Sequence, residues 1–153
     1  MNVSAGDAAA RARKGALTLR FPGLPDRVRA ALRQVHRHLT TLPLPTDRQA
    51  SIELVVAEAL NNIAEHAYSD AAPGAITLIA RHDDDRLSIV LRDTGRPLPG
   101  LAPPAGAPPD LDVATADLPE GGYGWFLIRD LTDDVGYLRQ GGENQLTLEF
   151  STA

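Results

Sequence analysis

The chain has no cysteine, one lysine and one tryptophan, and only 5% of its 153 residues are aromatic. Without cysteine there is no thiolate zinc site, no thiol nucleophile and no disulfide framework, and the composition suits a reducing cytoplasm. The lone lysine, Lys14, has no Gly-Lys-Ser/Thr around it, which excludes a phosphate-wrapping P-loop. No apolar run approaches the roughly 18 residues of a membrane span, so no membrane partner is expected. Arg11, Arg13 and Lys14 are not followed by an apolar stretch, so a signal peptide is not expected either. A basic excess is also missing. The formal net charge of −5 argues against a nucleic-acid binder, which would normally be basic.

What is present suffices for one domain. A chain of this length buries about 68–70% of its unfolded surface and folds without covalent staples. Residues 1–14 read as a disordered tail and residues 15–153 as the domain. Ala16 to Phe21 alternates and predicts a strand, and Pro22-Gly23 breaks it. Asp26 to Leu39 carries Val28, Leu32, Val35 and Leu39 at helical spacing. Thr46 with Gln49 three residues later has the pattern of a capping box, which predicts a second helix from Asp47 to about Tyr68, before Pro73-Gly74. Ala75 to Arg81 and Arg86 to Arg92 alternate around Asp83-Asp84-Asp85 and read as a hairpin. Half of the 12 prolines fall between Pro97 and Pro109. No helix or central strand runs through such a segment, and residues 96–120 therefore read as a long functional lid. Trp125 to Leu131 predicts a short helix. Val135 to Arg139 and Gln145 to Phe150 predict a last hairpin around Gly141-Gly142-Glu143-Asn144. Helices clustered ahead of most of the strands favour an α+β two-layer sandwich over a doubly wound sheet.

Three pieces carry chemistry. On the second helix Glu58, Asn62 and His66 are spaced i, i+4, i+8 and stack along one side. Ile52, Val55, Val56, Ala59, Leu60 and Ile63 gather on the adjoining core face. A carboxylate, an amide and an imidazole in a row beside a core can hold a metal ion and a proton acceptor. In Leu91-Arg92-Asp93-Thr94-Gly95 a strand ends in Asp-x-Gly. An aspartate there can accept a hydrogen bond from an exocyclic amine, and the glycine lets a ring approach the backbone. Gly121-Gly122-Tyr123-Gly124 opens a helix, and amides at a helix start point at anions. Taken singly, Glu58 also reads as a solvated glutamate, Asn62 as a satisfied amide, His66 as a helix-end packing residue, Asp93 as an Asx-turn residue and the glycines as plain turns.

In this order the pieces resemble the Bergerat-fold (GHKL) ATPases, the group that includes gyrase and the histidine kinases. Within it they are most similar to the anti-sigma-factor serine/threonine kinases of bacterial partner-switching systems. The run from Glu58 to Tyr68 looks like the N box of that family, and Gly122 to Val135 looks like its G2 box leading into the next strand. The resemblance covers residues 16–150. It implies that Asn62 offers its amide oxygen to Mg²⁺ and that Glu58 is the general base toward a serine hydroxyl of a partner. It also implies that His66 contacts the nucleotide, that Asp93 binds the adenine amine of ATP, and that Gly95 leaves room for the ring. Gly122 and Gly124 would wrap phosphates. The implied partners are a STAS-domain anti-anti-sigma protein, phosphorylated on serine, and a sigma factor or other target, with the kinase a homodimer in the cytoplasm. One departure is visible: the family's Asp-x-Gly-x-Gly is here Asp93-Thr94-Gly95-Arg96-Pro97, without the second glycine. The polar residue expected in the last strand pair is Asn144, Gln145 or Thr147.

Two other classes are open at this point. One is a nucleotide-dependent binding module with little kinase activity; the other is the ATPase fragment of a histidine kinase. His36 and His38 read as solvent-facing, inside the fold and not on a phospho-accepting dimerisation helix. Arg27, Arg29, Arg33 and Arg37 charge the first helix. They read as a solvated face or, with Arg29 foremost, as a docking surface for an acidic partner.

Overall fold

The computed structural model describes residues 16–67, 73–106 and 122–153. The chain forms β1 (Ala16–Pro22), α1 (Pro25–Thr40), α2 (Thr46–Asn62), a π-helical turn (Ile63–Ala67), β2 (Ala75–Asp83), β3 (Arg86–Asp93), a 3₁₀ turn (Pro99–Leu101), α3 (Gly122–Leu131), β4 (Asp134–Gln140) and β5 (Glu143–Ser151). The strands make one antiparallel sheet in the order β1-β2-β3-β5-β4. The three helices lie on one face of it, as an α+β two-layer sandwich.

Alternation builds the sheet side of the core. Ile76, Leu78 and Ala80 of β2, Leu87, Ile89 and Leu91 of β3, and Leu146, Leu148 and Phe150 of β5 all point inward and are buried. The intervening Thr77, Ser88, Arg92, Gln145 and Thr147 face the other way and are less covered. The helix side comes from Val28, Ala31, Val35 and Leu39 of α1 and from Ile52, Val55, Val56, Ala59 and Leu60 of α2, with Ile63 beyond its end. All six core positions expected on the second helix are buried. Each fully buried large aliphatic or aromatic side chain contributes about 1.5–3 kcal/mol.

Arg48, at the start of α2, binds three parts of the fold together. Its guanidinium donates to the carbonyls of Ser151 and Leu131, pairs with Asp133 at 2.7 Å, and lies 5.6 Å from the centre of the Phe150 ring. These contacts fix the first turn of α2 against the end of β5 and the link from α3 to β4.

Four expectations change in detail. The capping box does not form: Pro45 is the N-cap, α2 begins at Thr46, and the Gln49 side chain reaches Glu53 instead. Pro45 carries the fixed φ of −59° that suits a helix entry. The helix also does not stay α-helical to its end, because it widens into the π turn after Asn62. His38 is half-buried, whereas His36 is exposed and pairs with Glu53 across the α1–α2 seam. The last hairpin closes over two residues only, Gly141 and Gly142, with φ of +60° and +77°. That loop, which favours paired glycines, leaves Asn144 inside β5. Of the expected lid, residues 96–106 are described; Gly121 and the part of the lid from 107 to 120 lie outside the described residues, as do Tyr68 and the tail over 1–14.

Candidate functional site

A cavity of about 510 Å³ opens between the end of α2, the root of the lid, the first turn of α3 and the β4–β5 hairpin. Asn62 and His66 line one side, Asp93 and Asn144 its floor, Trp125 and Tyr137 two of its walls. Leu98, Pro99 and Pro104 of the lid close over it.

The helix end supplies the polar side. Glu58 and Asn62, one turn apart on α2, both face the first turn of α3. A Cβ at Gly124 would lie 2.8 Å from Glu58 Oε2 and 3.6 Å from Asn62 Nδ2. The glycine is therefore what lets the two elements approach with a carboxylate between them. Asn62 Nδ2 is buried with no hydrogen-bond partner among the described residues. An orphaned amide of this kind is costly unless something else takes it up. Among the described residues no hydrogen bond holds the Nδ2 side of this amide in place, so the amide can turn its oxygen toward an ion in the cavity. The residues thus fit a hard divalent cation, which prefers oxygen and keeps several waters. Among the described residues no group of three His, Cys, Asp or Glu forms a protein-only metal site. A cation here would draw most of its ligands from phosphate and water. His66 lies on the π turn, exposed at the cavity rim; π turns recur at functional sites.

The strand ends supply the floor. Asp93 is 5% exposed and accepts from the Gly95 amide at 2.9 Å and from Asn144 Nδ2 at 2.8 Å, both on Oδ1. Burial pushes the Asp93 carboxyl above its ordinary value; the Asn144 and Gly95 hydrogen bonds and the Arg139 charge offset part of that rise. Gly95 has a tight protein neighbour. A Cβ there would fall 2.5 Å from the Ala67 carbonyl oxygen, and that same carbonyl accepts the Arg96 amide. The glycine lets the π turn dock on the loop after β3. Arg129 of α3 donates to the carbonyls of Pro103 and Pro104 and holds the described part of the lid against the helix. Gly122 is the first residue of α3.

The cavity lining thus brings Asn62, His66 and Asp93 together, with Glu58 and Gly124 joined to it through Asn62. Sequence reasoning missed Tyr137, Arg139 and Trp125, and left Asn144 as one of three candidates. The alternation of Val135, Tyr137 and Arg139 was the available signal, since it puts the two polar residues on the inward face of β4.

Comparison with known proteins gives the family and the fold. Residues 21–150 match the histidine kinase-like ATPase domain family. The chain is 34% identical over 106 residues to the serine/threonine-protein kinase BtrW of Bordetella bronchiseptica, covering 67% of this chain and 70% of that one. It is 31% identical over 106 residues to the serine-protein kinase RsbW of Bacillus mycoides, covering 68% and 65%. In fold it is similar to the RsbU and RsbW domains of a Mycobacterium tuberculosis protein, with a TM-score of 0.61 at 17% identity over 88% of this chain and 31% of that one. The SiaB–SiaC complex of Pseudomonas aeruginosa gives 0.55 at 14% identity over 99% of both chains. No helix among the described residues is long and apolar enough to cross a membrane. The chain belongs to the histidine kinase-like ATPase family and, within it, to the RsbW-type serine/threonine-protein kinases.

Proposed function

We propose that this chain is the kinase of a cytoplasmic partner-switching system, binding Mg-ATP and phosphorylating a serine of a STAS-domain antagonist. One observation carries the reading: the Glu58 carboxylate stands beside Asn62 against the glycine-opened first turn of α3, and Asn62 lines a cavity that also holds the buried Asp93 carboxylate. Those are two acidic groups with separate tasks, one beside and one inside a space of nucleotide size.

Asp93 takes the base by accepting from its exocyclic amine. The amides at the start of α3, from Gly122 to Gly124, take the phosphates, where the helix end favours negative charge. Asn62 holds the cation, which when bound neutralises phosphate charge. His66 at the rim contacts the nucleotide. Glu58 removes the proton from the incoming serine hydroxyl as its oxygen bonds to the γ-phosphorus and the bond to the β-phosphate oxygen breaks, releasing ADP. General-base help of this kind is worth about 10²–10⁴-fold; positioning and charge stabilisation supply most of the rest. The phosphoserine adds nearly two negative charges to the antagonist, releasing it so that the kinase holds its target, a sigma factor or another regulated protein. The kinase works as a homodimer.

The test is calorimetric titration of ATP with and without Mg²⁺ on wild type and Asn62→Ala, followed by phosphotransfer to STAS-domain partners. Mg-dependent affinity that Asn62→Ala weakens, with transfer abolished by Glu58→Gln, supports the reading. Binding with no transfer by wild type, and no effect of Glu58→Gln on partner release, would leave a nucleotide-dependent binding module. The replacement of the second loop glycine by Arg96-Pro97 is the feature that favours this second reading.

A further inference from the structure

We propose that residues 97–106 form a strap that Arg129 latches shut across the cavity through the protein's own groups, and that release of this latch gates entry and exit. The gating of nucleotide rests on the cavity being a nucleotide site, as proposed above; the latch itself does not.

The strap cannot hold its own position. Pro97, Pro99, Pro103 and Pro104 have no amide N–H to give. Among the described residues its one internal backbone hydrogen bond runs from the Leu101 amide to the Leu98 carbonyl, at 2.9 Å. Yet Leu98, Pro99 and Pro104 line the cavity, so the place of the strap is set from outside, at its two ends. At the root, the Leu98 amide donates to the Tyr137 hydroxyl at 3.0 Å, and Arg139 Nη1 donates to the Gly95 carbonyl at 2.7 Å. At the far end, Arg129 Nε donates to the Pro104 carbonyl at 2.6 Å and Nη2 to the Pro103 carbonyl at 2.7 Å. Just beyond, Gly106 lies directly on α3. A Cβ there would fall 2.4 Å from the Phe126 amide nitrogen.

The far end has the chemistry of a catch. Two successive prolines fix φ and offer two neighbouring carbonyls, and a guanidinium is a rigid fork of donors that meets both at once. Hydrogen bonds from a charged donor are the stronger kind. Arg129 is nevertheless exposed, so water can compete for it and the catch can open without unfolding an element. Between the two ends the backbone is strained. Leu101, 59% exposed, sits at φ +55°, a left-handed conformation that a non-glycine residue keeps only where its surroundings impose it. Release at Arg129 lets that turn relax, while the root stays tied to β4 and serves as the hinge. Gly124 and Arg129 share α3, so the helix that faces Glu58 also holds the cover closed.

The experiment uses the only tryptophan of the chain. Trp125 is 7% exposed and lines the covered cavity. Acrylamide quenching of its fluorescence is measured without ligand in wild type, Arg129→Ala and Gly106→Ala, with thermal melts as the check on folding. Arg129→Ala removes the catch at an exposed position, and Gly106→Ala lifts the strap from α3. Both are expected to make Trp125 more accessible to the quencher. Stopped-flow mixing with Mg²⁺ and mant-ATP, whose dye accepts energy from Trp125, then gives the rates. Arg129→Ala is expected to speed association and dissociation alike by about tenfold, the lower end for losing a hydrogen bond to a charged group, with affinity changed far less. Unchanged quenching in both variants would overturn the latch. Faster dissociation alone, with quenching as in wild type, would overturn it too, since Arg129 would then secure only a loaded site. Raised quenching in the variants with no binding of mant-ATP by any form would uphold the latch and overturn the nucleotide reading instead.

Discussion

Gly124 shows how one missing methyl group shapes the site. Its absent Cβ is the space in which Glu58 Oε2 sits. Gly124→Ala meets the flexible end of a glutamate and not backbone, so the fold is expected to survive while the carboxylate is displaced. A 1 Å misplacement costs about 10²-fold in rate, and single-turnover phosphotransfer is expected to fall by about that factor with an unchanged melting temperature. Asp93 gives a second prediction, with the opposite balance. Its raised value means that the folded chain holds this proton more tightly than the unfolded chain does. Stability is therefore lost as pH rises from the ordinary carboxylate value through the folded one, and above that the charged group is a standing cost. Asp93→Asn removes that cost, and its amide oxygen can still accept from Gly95 and Asn144. At pH 7–8 the variant is expected to melt no lower than wild type while losing ATP binding, as thermal melts and calorimetry would record. Glu58, Asn62, His66, Asp93 and the glycines were legible because each lies within a short motif. Tyr137 and Arg139 were not, because their role comes from register. Arg139 pairs with Asn144 across the β4–β5 hairpin, and Asn144 pairs with Asp93 across β3 and β5, 51 residues away in the chain.

Among the elements, the contact between the π turn and the loop after β3 is the most demanding. Gly95→Ala would drive a methyl group into the Ala67 carbonyl, carbonyl carbon and Cβ, all within 2.8 Å. Backbone cannot yield as a side chain does, and overpacking of this kind costs about 1–3 kcal/mol. Chemical denaturation is expected to show that loss, together with weaker nucleotide affinity. Arg48 sets the other end of α2. Arg48→Ala removes two backbone hydrogen bonds, an ion pair and a ring contact, at about 1–3 kcal/mol. That corresponds to roughly 2–4 °C in melting temperature per kcal/mol for a chain of this size. The Ser151 amide, followed by Arg48, holds the Asp133 carboxyl below its ordinary value. Its stabilisation is present above the ordinary carboxylate value and is lost as pH falls through the lowered one. Arg48→Ala is therefore expected to flatten part of the acid limb of a stability profile. Periodicity and turn signals placed each described α-helix and strand within a few residues. It did not place the π turn, which has no pattern of its own, or reject the Thr46–Gln49 cap, which Pro45 displaced.

For the whole molecule, a net charge of −5 coexists with a basic helix. Arg27, Arg29, Arg33 and Arg37 are all exposed on α1, with Arg29 paired to Asp26. Concentrated positive charge on an acidic protein steers an acidic partner and acts mainly on the association rate. Arg33→Glu with Arg37→Glu is expected to slow association with the antagonist by about tenfold at low salt, less at high salt, and to leave ATP affinity unchanged; stopped-flow mixing would measure it. The two-layer class followed from the order of predicted elements. The strand order did not, because β3 pairs with β5 through the sheet interior while β4 takes the edge, and nothing local to those strands records which neighbour each will choose. The register also separates the ends of the sheet. Ala16 pairs with Arg81 and Ser151 with Arg86, whereas Asp93 and Asn144 meet at the opposite end. The first and last strands therefore begin and finish on the side away from the cavity, three strand spacings or about 14 Å apart. The polypeptide thus enters the sheet at Ala16 and leaves it at Ser151 from behind, so an insertion made at those two strand ends would approach the fold on the face opposite the cavity mouth.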